Sequence, residues 1–252
     1  MTVKIIPKSE DEIEKMRKGG KILARVLAEV AKQVAPGVVI KELDRSAEKM
    51  IREAGAIPAF LGYKGFPSTL CASVNEEVVH GNGRRIRALL EGDIVGLDLG
   101  LWYEDLCVDA ALTVPVGKVT PIATRLINAA QEAFKCGVSM VRAGVKVGEI
   151  GTAIEEYVVA QGFGVVRDLV GHGVGRALHE PPEVPNFKSP FVGDVLPAGA
   201  TIAIEPMITA GDWRVKTLDD GWTVVTQDGD LSAHYEHTIV ITENGCEILT
   251  EP

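Results

Sequence analysis

The feature that most constrains the fold of this chain is an internal repeat at an offset of 107 residues. The segment VAPGVVIKELDRSAEKMIREAG aligns without a gap on VRAGVKVGEIGTAIEEYVVAQG. Glycines coincide in both, Gly37 with Gly144 and Gly55 with Gly162, and several apolar and acidic positions also match. Helices share a general pattern, so this match by itself is also compatible with chance.

Acidic residues extend the repeat beyond the helices. The same offset places EGDIVGLD on AGATIAIE, so that Asp98 falls on Glu205. After an insertion of 20 residues VDAALTV falls on YEHTIVI, and Asp109 falls on Glu236. Chance alignment of two acidic residues with two others, each in an apolar strand-like run, is less expected than an internal duplication.

Local patterns predict helices and strands in both halves. Ser9 followed by Glu12 has the form of a capping box, and apolar residues then recur at helical spacing. Helices are predicted over about 10–33, 41–54, 122–141 and 147–160. The sequence therefore predicts an α+β fold in one catalytic domain (1–252), with two pseudo-symmetric halves (about 10–115 and 120–245). Antiparallel sheet covered by helices in each half should face the other half across a shared site.

Residues 94–114 are predicted to form two strands joined by a tight turn near Tyr103-Glu104. If the hairpin is symmetric about that point, Asp98 and Asp109 lie directly opposite each other. Two like charges at such positions destabilise the pair unless something positive lies between them. An exposed pair of carboxylates, or a pair that shares one proton, is the alternative.

The four carboxylates at equivalent strand positions favour a cation site. The chain has five histidines, His80, His172, His179, His234 and His237, and His172 lies in the glycine-flanked motif VGHGVG. A lone histidine is more often structural, but beside four carboxylates His172 is a credible nitrogen ligand. This oxygen-rich set suits Mn, Fe or Co, and zinc is compatible. Two ions about 3.5–4 Å apart would activate a water between them, so hydrolysis is the expected chemistry.

Composition excludes several other classes of protein. A net charge of −9 over 252 residues argues against direct binding of nucleic acid. The four cysteines are far apart, without a CxxC pair, which favours a reducing compartment. The N-terminal segment lacks the apolar region of a signal peptide, and no apolar stretch reaches the length of a membrane span. We therefore expect a soluble cytoplasmic protein without membrane contact.

Five motifs together resemble the pita-bread metallopeptidases: Asp98, Asp109, GHGVGRALHE (171–180), AIEPM (203–207) and YEHT (235–238). The segment GYKGFPSTLCASVNEEVVHG (62–81) more specifically resembles the type I methionine aminopeptidases. The resemblance covers essentially the whole chain. It implies a pita-bread fold, two divalent metal ions (Co, Mn or Fe, with Zn or Ni compatible) and removal of the N-terminal methionine from nascent proteins or peptides.

The resemblance also implies a ligand set. Asp109 and Glu236 would bridge both ions, Asp98 would chelate one ion, and His172 and Glu205 would complete the other. Glu205 is in addition a candidate base for the bridging water, and its residue type alone does not separate the two roles.

Two further histidines receive roles from the resemblance. His179 would hydrogen-bond the scissile carbonyl or its oxyanion, and His80 would contact the substrate near the scissile amide. A donor aimed at developing negative charge stabilises the transition state more than the ground state.

A pocket for the methionine side chain is implied at Phe60, Tyr63, Phe66, Cys71, Leu178 and Trp222. Three of these depart from the family pattern: Phe60 stands where a cysteine is common in bacterial members, Phe66 replaces a tyrosine and Leu178 replaces a phenylalanine. The pocket stays apolar. Its size and its preference for the methionine side chain are expected to change by about 1–3 kcal/mol, the scale of a methylene-sized mismatch.

Two alternatives stay open at this point. Aminopeptidase P or prolidase shares the ligands but typically has an additional N-terminal domain, and a catalytically silent binding protein would usually have lost ligands. The chain lacks a zinc-binding extension and the long helical insertion of type II enzymes, so a compact type I monomer is expected. Contact with the ribosome would require a local basic patch, given the acidic net charge.

Overall fold

A computed structural model of the chain describes residues 4–189 and 193–251. Its helices are α1 Glu10–Lys32, α2 Ile40–Glu53, α3 Pro121–Ser139 and α4 Val147–Ala160, with one 3-10 turn at Tyr63–Gly65. All four predicted helices are confirmed to within two residues. The capping box is present, because the backbone N–H of Glu12 donates to Ser9 Oγ and the backbone N–H of Ser9 donates to Glu12 Oε2.

Short strands make up the rest of the regular structure. In chain order they are β1 Ile57–Pro58, β2 Leu70–Val74, β3 Glu77–Val79, β4 Ile94–Tyr103, β5 Leu106–Pro115, β6 Gly164–Val165, β7 Gly171–Gly173, β8 Glu180–Val184, β9 Thr201–Ile204, β10 Met207–Thr209, β11 Val215–Thr217, β12 Val224–Thr226, β13 Ser232–His234, β14 Glu236–Ile241 and β15 Cys246–Ile248.

The main sheet runs in the order β1-β4-β5-β14-β9-β7-β8, with β2 also paired to β4 and β15 paired to β14. All of these pairings are antiparallel. Strand β5 pairs with β14 at the centre, and this pairing joins the hairpin β4–β5 to the pair β14–β9. Two three-stranded sheets, β13-β10-β6 and β11-β12-β3, flank it. The architecture is the α+β arrangement that the sequence predicts.

Each pair of helices covers its own part of the sheet. One core cluster combines α1 and α2 with β2, β4 and β5. A second combines α3 and α4 with β9 and β14. The segment around Leu249 packs closely against α1, since a Cβ at Gly20 would lie 1.9 Å from the carbonyl oxygen of Leu249.

The glycines matched in the sequence repeat have matching backbone conformations. Gly37 and Gly144 have φ of 89° and 86°, and Gly55 and Gly162 have φ of 76° and 82°. A positive φ is strained for any residue with a side chain, which explains why glycine stands at both members of each pair. The duplication itself and the division into halves of about 10–115 and 120–245 stay predictions.

The predicted register of the β4–β5 hairpin is wrong by two residues, because Asp98 pairs with Ala111 and not with Asp109. Tyr103 pairs with Leu106, so the two-residue turn is Glu104-Asp105 and not Tyr103-Glu104. Both turn residues have positive φ, 46° and 65°, as a type I′ hairpin turn requires. The Asn-Gly or Asp-Gly signal that normally marks such a turn is missing here, so the sequence did not locate it.

Among the described residues, no helix has the length and apolar character needed to cross a membrane. All four cysteines are free thiols, two of them buried.

Candidate metal centre and active site

A cavity of about 1110 Å³ opens beside the centre of the main sheet. Every residue that the sequence analysis assigned to the site lines this cavity: Phe60, Tyr63, Phe66, Cys71, His80, Asp98, Asp109, His172, Leu178, His179, Glu205, Trp222 and Glu236. Residues from the segments 60–80, 98–109, 172–179 and 205–236 thus meet at one place.

Strand register explains why the carboxylates meet. Asp98 lies opposite Ala111, and Ala111 lies opposite Glu236 on the next strand, so all three side chains are on one face of the sheet. Asp109 is two residues before Ala111 and shares that face. Because His237 pairs with Ile204, Glu205 follows directly after β9 beside Glu236.

The carboxylates are buried without enough hydrogen-bond partners. Among the residues that the structure describes, Asp98 Oδ1, Asp109 Oδ1, Glu205 Oε1 and Glu236 Oε1 are buried and accept no hydrogen bond. Burying a carboxylate without a partner is costly. Burial raises the pKa of Asp98 to about 7, and burial followed by repulsion from neighbouring carboxylates raises the pKa of Asp109 well above its ordinary value.

Glu205 and Glu236 behave in the same way. Desolvation is the main cause that raises the pKa of each, and repulsion from the other acidic residues of the centre adds to it. Ionised carboxylates at this spacing need a nearby positive charge, and divalent cations supply it. The unpaired oxygens and the oxygen-rich donor set therefore fit metal ions.

His172 is held so that one ring nitrogen remains free. Its Nδ1–H donates to the carbonyl oxygen of Gly173 at 2.9 Å, and Nε2 lies 3.5 Å from Glu205 Oε1. The flanking glycines are required by close packing, since a Cβ at Gly171 would lie 2.4 Å from the Ala203 carbonyl oxygen. Burial lowers the pKa of His172 to about 4, so the imidazole is neutral and can ligate a metal.

His234 lies at the centre, although its sequence pattern does not single it out as a ligand. Ligand atoms of Asp98, His234 and Glu236 lie within 4.8 Å of one another, as do those of Asp109, His172 and Glu236. The His234 side chain is 4% exposed, and its Nε2 has no hydrogen-bond partner among the described residues. The sequence feature that could have identified His234 as a residue of the centre is its position two residues before Glu236, in a strand-rich segment.

The two other predicted histidines, His80 and His179, line the same cavity. The backbone of His80 has a φ of 59°, a strained conformation for a residue with a side chain, and its ring lines the cavity. Desolvation, followed by the neighbouring His179, lowers the pKa of His80. His179 Nδ1 lies 2.9 Å from the Tyr63 hydroxyl, and its ring centroid lies 4.3 Å from that of His172.

Apolar and aromatic side chains also line the cavity. The rings of Phe66 and Trp222 pack edge to face with centroids 5.4 Å apart. Phe60 lies against Gly100, where a Cβ would be 2.7 Å from Phe60 Cε1. Val79 and Met207 also line the cavity, although the sequence analysis did not select them.

Comparison with known proteins agrees with this geometry. The model of metallopeptidase family M24 matches residues 14–243. The chain is 50% identical over 246 residues to a methionine aminopeptidase of Clostridium perfringens, covering 98% of each protein. It is 45% identical over 247 residues to methionine aminopeptidase 1 of Bacillus subtilis, covering 98% of this chain and 99% of that protein.

Solved structures of methionine aminopeptidases are also similar to this chain. A methionine aminopeptidase of Thermotoga maritima superposes with a TM-score of 0.96 at 45% identity, covering 99% of this chain and 100% of that one. A prolidase of Pyrococcus furiosus superposes with a TM-score of 0.79 at 23% identity, covering 98% of this chain and 66% of that one, and shows the shared fold alone.

The chain therefore belongs to metallopeptidase family M24 and has its α+β pita-bread fold. Within that family of metallohydrolases it belongs to the methionine aminopeptidases, as identities of 44–50% over nearly the full length establish.

Proposed function

We propose that this chain hydrolyses the first peptide bond of peptides and nascent proteins that begin with methionine, using two divalent metal ions. The observation that carries the proposal is the set of buried, unpaired carboxylate oxygens beside His172, in a cavity that apolar and aromatic side chains also line. The carboxylates suit cations, and the apolar lining suits an unbranched thioether side chain.

The five residues Asp98, Asp109, His172, Glu205 and Glu236 would hold the ions. Asp109 and Glu236 would bridge both ions, and Glu236 belongs to both groups of neighbouring ligand atoms. Asp98 would bind one ion, and His172 with Glu205 the other. Mn, Fe and Co fit this oxygen-rich set, and Zn or Ni is compatible. When bound, such ions activate a water and polarise the scissile carbonyl.

Glu205 is the proposed proton carrier. Its pKa is raised by burial, and its backbone carbonyl accepts a hydrogen bond from Asn186 Nδ2 at 3.1 Å, which helps to hold the residue after the end of β9. Glu205 would accept a proton from the attacking water. As the C–N bond breaks, the proton would pass to the leaving amine.

His179 is the proposed donor to the oxyanion. If the Tyr63 hydroxyl donates to His179 Nδ1, the ring carries its proton on Nε2 and can donate it to the carbonyl oxygen of the substrate. His80, on the same side of the cavity, would contact the substrate near the scissile amide.

The methionine side chain would bind among Phe60, Tyr63, Phe66, Cys71, Leu178 and Trp222. Cys71 is buried beside Asp98, its cross-strand partner, so the apolar pocket adjoins the proposed metal centre directly. The free amine of the substrate would then lie near Asp98, which explains a requirement for a chain terminus.

The chain would act as a monomer in the cytoplasm. Four free thiols are typical of a reducing compartment. The N-terminus of a peptide or nascent protein is the proposed partner, and contact with the ribosome stays a prediction.

A substrate panel tests the proposed function. Protein loaded with Mn, Fe or Co should release free methionine from Met-Ala-Ser and leave Xaa-Pro peptides intact. Glu205→Ala should abolish this release, because the variant lacks both a ligand and the proton carrier. Cleavage of Xaa-Pro peptides alone would contradict the proposal in favour of a proline-directed peptidase.

A further inference from the structure

We propose that His234 is an additional metal ligand, which would give the Asp98 side of the centre a nitrogen ligand of its own. The inference rests on the proposed function, because it assigns a residue to the same metal centre. It follows from the position of one ring nitrogen relative to the surrounding carboxylates.

His234 Nε2 lies 3.8 Å from Glu236 Oε2 and 3.9 Å from Glu205 Oε2. Both distances exceed the range of a hydrogen bond, so neither carboxylate satisfies this nitrogen. Two ligands that each lie about 2.0–2.2 Å from one ion can be as far as about 4.2 Å apart. The 3.8 Å separation from Glu236, the carboxylate proposed to bridge both ions, is therefore too long for a direct contact and suitable for two ligands that share an ion.

The backbone of His234 is held firmly in this position. Its N–H donates to Thr113 Oγ1, and the same hydroxyl donates to the His234 carbonyl oxygen, each at 2.9 Å. The residue also pairs with Met207 across β13 and β10, two residues after Glu205. A ring attached to so fixed a backbone, almost fully buried, has little freedom to find another partner for Nε2.

The two possible ligand groups have the same composition. Asp109, His172 and Glu236 form one, and Asp98, His234 and Glu236 form the other. Glu236 is common to both, as expected of a bridging carboxylate, and each side then has one aspartate and one imidazole. An imidazole on the Asp98 side favours Zn²⁺ over Mn²⁺ more than oxygen ligands alone would.

The direct test is NMR of protein labelled with ¹⁵N in its histidine rings and loaded with ¹¹³Cd²⁺. A one-bond ¹¹³Cd–¹⁵N splitting requires a metal–nitrogen bond, so it counts ligand histidines without any substitution. We expect two split signals, one lost in His172→Gln and the other in His234→Gln. His237 is the internal control, because its ring hydrogen-bonds Thr250 and Tyr235 and should show no splitting.

Calorimetric titration gives a second readout. His234→Gln should weaken binding of one Zn²⁺ ion by about tenfold or more, since the loss of outer partners alone typically costs about 10–100-fold. Its effect on Mn²⁺ binding should be smaller.

The outcomes separate this inference from the proposed function. A single split signal, retained in His234→Gln, would overturn the role of His234, and methionine release by the same metal-loaded protein would leave the proposed function intact. Failure of ¹¹³Cd²⁺ to bind at all would overturn the inference and the metal centre together. Two split signals, together with no methionine release by the Mn²⁺-, Fe²⁺- or Co²⁺-loaded protein, would support His234 and contradict the proposed function.

Discussion

Asp98 and Asp109 are diagonal neighbours across the β4–β5 hairpin, with Asp98 opposite Ala111 and Asp109 opposite Gly100. Diagonal positions on one face leave more room between two carboxylates than directly opposite positions. The arrangement therefore brings both charges to the same cavity while leaving space for a cation between them.

The first prediction concerns pH and metal. In metal-free protein the folded-state pKa of Asp98, about 7, lies above its ordinary value, and those of Asp109, Glu205 and Glu236 are also raised. Folding then takes up protons, so this contribution to stability is present at acidic pH and is lost as pH rises through about 7. Bound metal requires the ionised carboxylates and should reverse the trend.

The measurement is the midpoint of thermal unfolding with and without metal. The increase caused by metal should grow between about pH 5 and pH 8. Asp98→Asn should reduce both the pH dependence of the metal-free protein and the gain from metal. An increase that is independent of pH over this range would contradict the assigned cluster.

The second prediction concerns the orientation of His179. Tyr63→Phe removes the hydroxyl that lies 2.9 Å from His179 Nδ1. A hydrogen bond of this kind contributes about 1 kcal/mol, so kcat should fall about fivefold with a smaller change in KM. Tyr157→Phe makes the same substitution away from the cavity and should leave kcat unchanged. Equal effects of the two substitutions would argue against a positioning role for Tyr63.

The third prediction concerns the wall of the methionine pocket. Gly100→Ala would place a Cβ 2.7 Å from Phe60 Cε1 and should move that ring toward the cavity. Overpacking of this kind costs about 1–3 kcal/mol, and KM for Met-Ala-Ser should rise. Gly96→Ala on the same strand is the control, because its nearest contact would be an ordinary 3.6 Å. An unchanged KM in Gly100→Ala would remove Phe60 from the pocket wall.

The fourth prediction concerns the ion pair that anchors the segment after His179. Lys8 Nζ donates to Glu180 Oε2 at 2.8 Å, and the side chains are 1% and 17% exposed. Lys8→Met leaves the Glu180 carboxylate without its cation and should lower the free energy of unfolding by roughly 3 kcal/mol. This value is at the lower end of the range for breaking a buried ion pair, because the Glu180 side chain remains partly exposed to solvent.

Denaturant unfolding of Lys32→Met provides the comparison for Lys8→Met. Lys32 pairs with Glu29 at the surface, with 70% and 48% of the side chains exposed, so its loss should cost only about 0–1 kcal/mol. Similar losses for the two variants would mean that burial does not strengthen the Lys8 pair.

The sequence predicts the four helices and the meeting of the candidate site residues at one cavity. It does not predict the position of a turn or the tertiary neighbours of a side chain. Acidic residues in apolar strands carry a strong signal, because their burial requires a partner, and this signal selected Asp98 and Glu236 as candidate ligands. The hairpin register depended on positive φ at Glu104-Asp105, for which the residue types give little sign. His234 was missed because its environment comes from other strands.

The pocket illustrates a different limit of sequence reasoning. Phe60 was recognised as a departure from the family pattern, but the absence of a side chain at Gly100, which makes room for its ring, is a tertiary relationship. No local pattern connects these two residues, which are 40 positions apart.

The measurement that tests the central claim most directly is methionine release from Met-Ala-Ser by metal-free protein titrated with Mn²⁺, Fe²⁺ or Co²⁺, with bound metal determined in the same samples. The account predicts no release without metal, and release that rises with occupancy up to about two ions per chain. Release by the metal-free protein, or none at full occupancy, would contradict it.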